Sequence, residues 1–187
     1  MGAIQAASQE HSGLGLLQFD AHADLRVAYE GFAYSHASVI DNVLRSTDVA
    51  RVVQVGLRDL CEEEAEVIRT DERVFALFDH EWASAKLAGE DLRRTIRSTL
   101  ARLPQNVYVT FDVDGLDPAL CPNTGTPVPG GLTWHEALAW LEELAASGKR
   151  IVGIDLNEVN PGPGADSIDA IVGARLLYKL IGTALRT

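Results

Sequence analysis

An α/β fold, three layers deep with helices on both faces of a mainly parallel sheet, follows from three features of the sequence. Five short apolar runs recur along the chain. They are rich in Val, Ile, Leu and Phe with little polar alternation, which is the composition of strands buried on both faces. Helical or loop stretches separate the runs, and strands alternating with helices favour parallel pairing. No linker divides the chain, so residues 1–187 read as one domain, with enough length for a sizeable core.

The runs are "LGLLQFDAH" (14–22), "VARVVQVGLRD" (49–59), "RVFALFDHE" (73–81), "NVYVTFDVDG" (106–115) and "RIVGIDLNEVN" (150–160). Between the third and fourth, "GEDLRRTIRSTLARL" carries apolar residues at helical spacing. "LTWHEALAWLEELAASG" pairs Thr133 with Glu136 three residues on, a capping box, and stops at Gly148. "SIDAIVGARLLYKLIGTAL" reads as a terminal helix, apolar mostly on one side.

Composition narrows the function classes. Apolar residues make up 47% and charged residues 23%, as in a folded globular chain. The net charge of -11 argues against nucleic acid and anionic membrane as partners and is compatible with a cationic small substrate. No run approaches a membrane span, and "MGAIQAASQEHSG" has neither a basic start nor an apolar core, so no signal peptide is expected. Cys61 and Cys121 lie far apart and read as reduced structural thiols of a cytoplasmic protein. "VPGG" and "NPGPG" are turn sequences; no glycine-rich loop leads the first strand into a helix, which weakens a phosphate- or nucleotide-binding reading.

The chemistry concentrates at two strand ends. The first run ends in Asp20, His22 and Asp24, spaced by two, and the fourth ends in Asp112 and Asp114. Residues spaced by two on a strand face the same way. Ligands in open parallel sheets bind outside the carboxyl ends of the strands. If the two strands are neighbours, four carboxylates and one imidazole converge. Carboxylates so crowded repel one another and raise each other's proton affinity unless cations join them. Oxygen-rich ligation without thiolate favours manganese before zinc. Two such ions sharing a water would make hydroxide available near neutral pH, pointing to hydrolysis of a poorly electrophilic carbon. Asp117, before Pro118, reads as a turn residue, and His11, His80 and His135 as solvated.

These segments resemble the manganese ureohydrolases: arginase, agmatinase, guanidino-acid hydrolases and formimidoylglutamase. "FDAHADLR" is similar to the family's first metal-binding segment, "FDVDGLDPALCPNTGTPVPGGLT" to the second, and "GIDLNEVNP" to the segment that supplies a substrate-binding glutamate. The resemblance implies an arginase-like fold and two Mn²⁺ ions bridged by Asp20 and Asp112. His22 and Asp114 would complete one site and Asp24 would belong to the other. It further implies that Glu158 holds the substrate guanidinium, that His36 in "YSHAS" shuttles a proton at the mouth, and that Thr126 lines the pocket. Hydroxide would attack the guanidinium carbon, and collapse would release urea and an amine. The family also implies a homo-oligomer, trimer or hexamer.

The chain departs from that pattern at its start. Relatives carry a preceding portion whose glycine-rich segment supplies the remaining histidine ligand of the first metal site, and "MGAIQAASQEHSGLG" begins about where that motif ends. The chain is therefore expected to be the C-terminal portion of a ureohydrolase, from a truncated or mis-started gene, with a bare sheet edge, uncovered apolar surface and one metal site short of a nitrogen donor. An inactive fragment or a metal-binding pseudoenzyme is the alternative to an enzyme, and the intact Asp20, His22, Asp24, His36, Asp112, Asp114 and Glu158 weigh against long-standing loss of function. For the substrate, agmatine is the first expectation. "LRVAYEGFAYSH" lacks the asparagine pattern of arginases, and Cys61 stands where arginases have an aspartate. Arg26 leaves open a carboxylate-bearing alternative, a guanidino acid or formiminoglutamate, although a packing role is the plainer reading of that residue.

Overall fold

Each of the five apolar runs contains a strand: β1 (Gly15–Phe19), β2 (Arg51–Leu57), β3 (Val74–Phe78), β4 (Asn106–Asp112) and β5 (Arg150–Asn157). The computed structural model describes residues 1–162 and 167–187. The strands form one sheet in the order β3-β2-β1-β4-β5, every neighbouring pair parallel. The chain builds outward from β1 through β2 to β3, then returns to place β4 on the other side of β1. The strand order therefore reverses between β1 and β4, the crevice where ligands bind in such sheets.

Among the described residues seven α-helices cover the sheet: α1 (Gly2–Glu10), α2 (Val39–Ser46), α3 (Glu62–Thr70), α4 (Asp79–Leu87), α5 (Leu92–Leu100), α6 (Trp134–Ala146) and α7 (Ile168–Ala184). Alternation along the strands divides them between two faces. Leu17, Phe19, Val53, Val55, Val109 and Phe111 pack with Trp82 of α4, Ile96 of α5, Trp140 of α6 and Leu176 of α7. Phe19 stacks on Phe111 at 4.6 Å and meets Trp140 edge-on at 5.6 Å. On the opposite face Leu16, Val52 and Tyr108 pack with Ile4 of α1, Ile40 and Val43 of α2, and Val67 and Ile68 of α3. Each large apolar side chain so buried contributes roughly 1.5–3 kcal/mol.

Thr133 caps α6 as its spacing predicts, with Glu136 accepting from the Thr133 backbone N–H at 2.8 Å. Gly148 lies one residue beyond the cap, at φ +75°, where a side chain would be strained.

Three expectations need correction. First, only the three central strands are buried, apart from Arg51, Asn106 and Asp112 at their ends; β3 and β5 are sheet edges, and β5 is at best half-buried. Second, "RVFALFDHE" is a strand and the start of a helix, because α4 begins at Asp79. Third, α7 is apolar on more than one side. Val172, Leu176 and Leu180 are buried, while Ile168, Ile171, Leu177, Tyr178 and Ile181 are exposed, as is Leu185 just past the helix end. Helices α1–α3 were not foreseen. They are short and carry few apolar positions: Ile40, Val43 and Leu44 are all that α2 buries of its apolar surface. Of the turn sequence "NPGPG" (160–164), the last two residues lie outside the described residues.

Candidate metal centre

β1 and β4 end side by side. Phe19 pairs with Phe111 in register, so Asp20 and Asp112 leave the sheet as neighbours. The chain stays close after β4: a Cβ on Gly115 would lie 2.8 Å from the Asp20 backbone nitrogen, so only glycine permits this approach. Asp114 follows in a single 3-10 turn, where the Asp112 side chain accepts from the Asp114 N–H at 3.1 Å.

The carboxylates are oriented from below and from the side. Asp20, 4% exposed, accepts from the His22 N–H at 2.7 Å and from Gln18 Nε2 at 2.7 Å. Asp114, 2% exposed, accepts from the Ala21 N–H and from Thr126 Oγ1, both at 3.1 Å. The His22 ring Nδ1 lies 3.1 Å from Asp114 Oδ2 and 3.5 Å from Asp20 Oδ1. Asp20, His22 and Asp114 each offer a ligand atom within 4.8 Å of the others. Arg58 holds the turn after β4 from beneath, donating to the carbonyls of Asp114, Leu116 and Val128.

Burial and crowding set the proton affinities. Burial first, then the neighbouring carboxylates, push Asp112 up to about 9. Burial also pushes Asp20 up to about 6, with its hydrogen bond from His22 opposing the rise, and it raises Asp24 well above the usual range. Asp114 is also buried, yet its hydrogen bonds from His22 and Ala21 outweigh that and hold it below the ordinary value. Hydrogen bonds to Asp114 and Asp20 drive His22 up to about 10. A cluster of this kind is short of positive charge. Two carboxylates and an imidazole within 4.8 Å of one another, with Asp24 and Asp112 lining the same cavity, fit a divalent cation, which replaces the protons and satisfies the oxygens together.

One cavity of about 160 Å³ gathers all the expected positions. Asp20, His22, Asp24, His36, Asp112, Asp114, Thr126 and Glu158 line it. Asp24 and Glu158 both sit at left-handed backbone angles, φ +55° and +58°. Such conformations cost of order 1 kcal/mol or more and collect at functional sites. Glu158 directly follows β5, its carbonyl accepting from Thr124 Oγ1 at 3.1 Å, and its carboxylate lies beside Gly125. His36 opens a 3-10 turn before α2, exposed at the mouth and edge-on to Tyr29 at 5.5 Å.

Arg26, already singled out, reaches the same cavity, and so do Glu64 and Asp59, which were not foreseen. Glu64 is buried beside it, accepting from the Leu25 and Cys61 N–H groups, as part of the box that caps α3 at Cys61. Asp59, exposed, lies 3.9 Å from His22 Nε2. Arg26 lies 3.6 Å from Glu64 and 5.4 Å from the centre of the Tyr29 ring. A polar residue inside an apolar run was the available signal for Gln18, and also for Gln54; for Glu64 the Cys61–Glu64 spacing was a cap signal that cysteine obscured. His80 and His135 are exposed, as expected. His11 departs from expectation: it is half-buried, with Nδ1 3.3 Å from Arg150, and does not line the cavity. Asp117 makes the expected turn, accepting from the Ala119 N–H.

Comparison with known proteins agrees with this geometry. The chain is 36% identical over 168 residues to the N(1)-aminopropylagmatine ureohydrolase of Synechocystis sp., covering 89% of this chain and 51% of that relative. To the agmatinase of Bacillus subtilis it is 35% identical over 158 residues, covering 84% and 51%. The solved structure of proclavaminate amidino hydrolase from Streptomyces clavuligerus matches at a TM-score of 0.81 and 28% identity, covering 98% of this chain and 59% of that one. The chain spans about half the length of the curated relatives it matches. The family model described as Arginase family covers residues 1–182, and the chain belongs to that family.

Proposed function

We propose that this site holds two manganese ions and hydrolyses the C–N bond of a guanidino compound, with water and the guanidinium giving urea and an amine. Agmatine is the substrate of choice. The observation that carries the reading is the convergence of five ligand-type residues and Glu158 on one cavity. Asp20, His22, Asp24, Asp112 and Asp114 would hold the ions. When bound, two such cations lower the pKa of a shared water and so supply a nucleophile near neutral pH.

The protein's own groups do the rest. Glu158 accepts two charge-assisted hydrogen bonds from the guanidinium and holds its carbon towards the carboxylate ring. Glu158 lines the cavity from a left-handed backbone angle, with its carboxylate beside Gly125. Thr126, by donating to Asp114 Oδ2, steadies a ligand while facing the substrate. His36, exposed at the mouth, hands a proton to the leaving amine, as an imidazole can near neutral pH.

The choice of agmatine rests on the rim. Arg26 already has Glu64 and the Tyr29 ring as partners, which weighs against its gripping a substrate carboxylate. Asp59 is 67% exposed and offers a negative charge to a cationic tail. Cys61 caps α3 and brings no charge to the rim. The test is manganese stoichiometry together with urea release from agmatine, arginine, guanidinobutyrate and formiminoglutamate, the last followed as formamide. Two ions per chain and fastest urea release from agmatine support the proposal. Manganese binding without turnover of any of the four assigns metal binding alone and sinks the hydrolase reading.

A further inference from the structure

Gln18 and Gln54 are the two amides buried within the central strands, at 2% and 0% exposure. They are Cα partners in the β1–β2 register and lie on the same face as Asp20. Neither belongs to the ligand set, and a buried amide is retained only where its hydrogen bonds repay desolvation. Their bonds run in one direction. Gln54 Nε2 donates to the Ala23 carbonyl at 2.7 Å and to Gln18 Oε1 at 2.8 Å. Gln18 Nε2 donates to Asp20 Oδ2 at 2.7 Å.

The backbone carbonyl of Ala23 can only accept, so Gln54 must turn its amino group that way. That amino group then faces Gln18, which must present its oxygen to Gln54 and its own amino group to Asp20. One immovable acceptor thus orients two amides and, through them, one carboxylate. The same amides grip both ends of the Asp20–Asp24 segment: the Asp20 side chain at one end, and the carbonyl of the Ala23–Asp24 peptide at the other. The left-handed turn at Asp24 begins just after that held carbonyl. The grip is not optimised for stability, because Gln54 Oε1 is buried with no hydrogen-bond partner among the described residues. A buried unsatisfied carbonyl costs about 1–3 kcal/mol.

We propose that Gln18 and Gln54 are positioning residues, a two-amide clamp that sets the bite of Asp20, His22 and Asp24 on a divalent cation. The proposal rests on reading the centre as a manganese site. The clamp places one donor, the Gln18 amide, on Asp20 Oδ2, while Oδ1 takes the His22 N–H and faces the His22 ring nitrogen at 3.5 Å, itself a ligand-type group. Loss of such a partner commonly weakens metal affinity 10–100-fold.

The experiment compares the unmodified chain with Gln18→Met and Gln54→Met, which keep length and volume. Two quantities are read: the dissociation constant for Mn²⁺ alone, from the spin-resonance signal of free manganese, and the melting temperature of the metal-free protein. The expected result is affinity 10–100-fold weaker in each variant, with the metal-free melting temperature within about 3 °C of the unmodified chain. Equal affinity in all three chains overturns the clamp while leaving the metal centre standing. Variants that are unfolded without metal at the assay temperature also overturn it, since the amides would then be structural. An unmodified chain that binds no manganese removes the metal-centre reading and the clamp with it.

Discussion

The β1–β4 centre and the β5–α7 flank are built to different standards. Around β1 and β4 every strand residue from Leu16 to Phe19 and from Val107 to Phe111 is buried, aromatic rings interlock beneath, and the carboxylate ring sits on top. Along β5 the residues are half-exposed or exposed, and α7 turns five large apolar side chains outward. Yet both regions feed one cavity: the centre supplies the metal-ligand positions and the flank supplies Glu158. The contrast separates two tasks. On the proposed function, the ligands that must hold a cation to a few tenths of an ångström would come from the fully buried part, and the group that engages the substrate from the more exposed one.

That division can be broken by experiment, most sharply at the ring itself. Asp112→Asn removes a carboxylate that neighbours Asp20 and should weaken manganese binding by more than the ~100-fold upper end for losing an outer partner; calorimetric titration measures it. Phe19→Ala, in the core under the ring, should cost ~3–5 kcal/mol of unfolding free energy. Ile154→Ala on half-exposed β5 should cost only about 1 kcal/mol. Similar losses at the two positions in urea melts would erase the distinction between centre and flank. Glu158→Gln should leave manganese stoichiometry unchanged and lower kcat/KM by roughly 10²–10³, the scale of losing one charge-assisted donor–acceptor set.

A smaller effect concerns pH. In the metal-free fold Asp20 and Asp112 hold protons up to about 6 and about 9, because burial raises both. The stability those protons contribute is complete below the ordinary carboxylate range and is lost as pH rises through these two values. His22, raised to about 10, must also release its proton before it can ligate. Manganese should therefore raise the melting temperature more at pH 8 than at pH 5.5, and its binding at pH 7.5 should release protons detectable by comparing buffers of different ionisation enthalpy. An increment independent of pH would remove His22 and the raised carboxylates from the ligand set. Least of all, Ile181→Lys on the exposed face of α7 should shift stability by no more than ~0.5 kcal/mol. If instead it changes the molar mass measured by light scattering, α7 is an interface and the flank is not free in solution.

Much of this was written in local pattern. The five strands, the parallel class, the α6 cap and the two acidic strings could be read from residue spacing, because burial on both faces and period-two alternation leave a direct mark on the chain. The short helices left little mark: α3, "EEEAEVIRT", is mostly charged and is held by its Cys61–Glu64 cap and the sheet beside it. The resemblance carried Glu158 and His36, which as single residues have no local signature.

What the chain determined by itself is therefore the inventory: which stretches pair as strands, and which side chains stand at their ends. Tertiary structure alone decided the adjacency. The reversal of strand order sets β4 against β1 and not beside β3, bringing Asp112 to Asp20 across more than ninety residues of chain. It also decided which strands became edges, that α7 kept an uncovered apolar face, and that two glutamines met in register beneath the ring. The physical reason is that spacing encodes the direction a side chain points relative to its own strand. Which strand lies next to it depends on the packing of every layer at once.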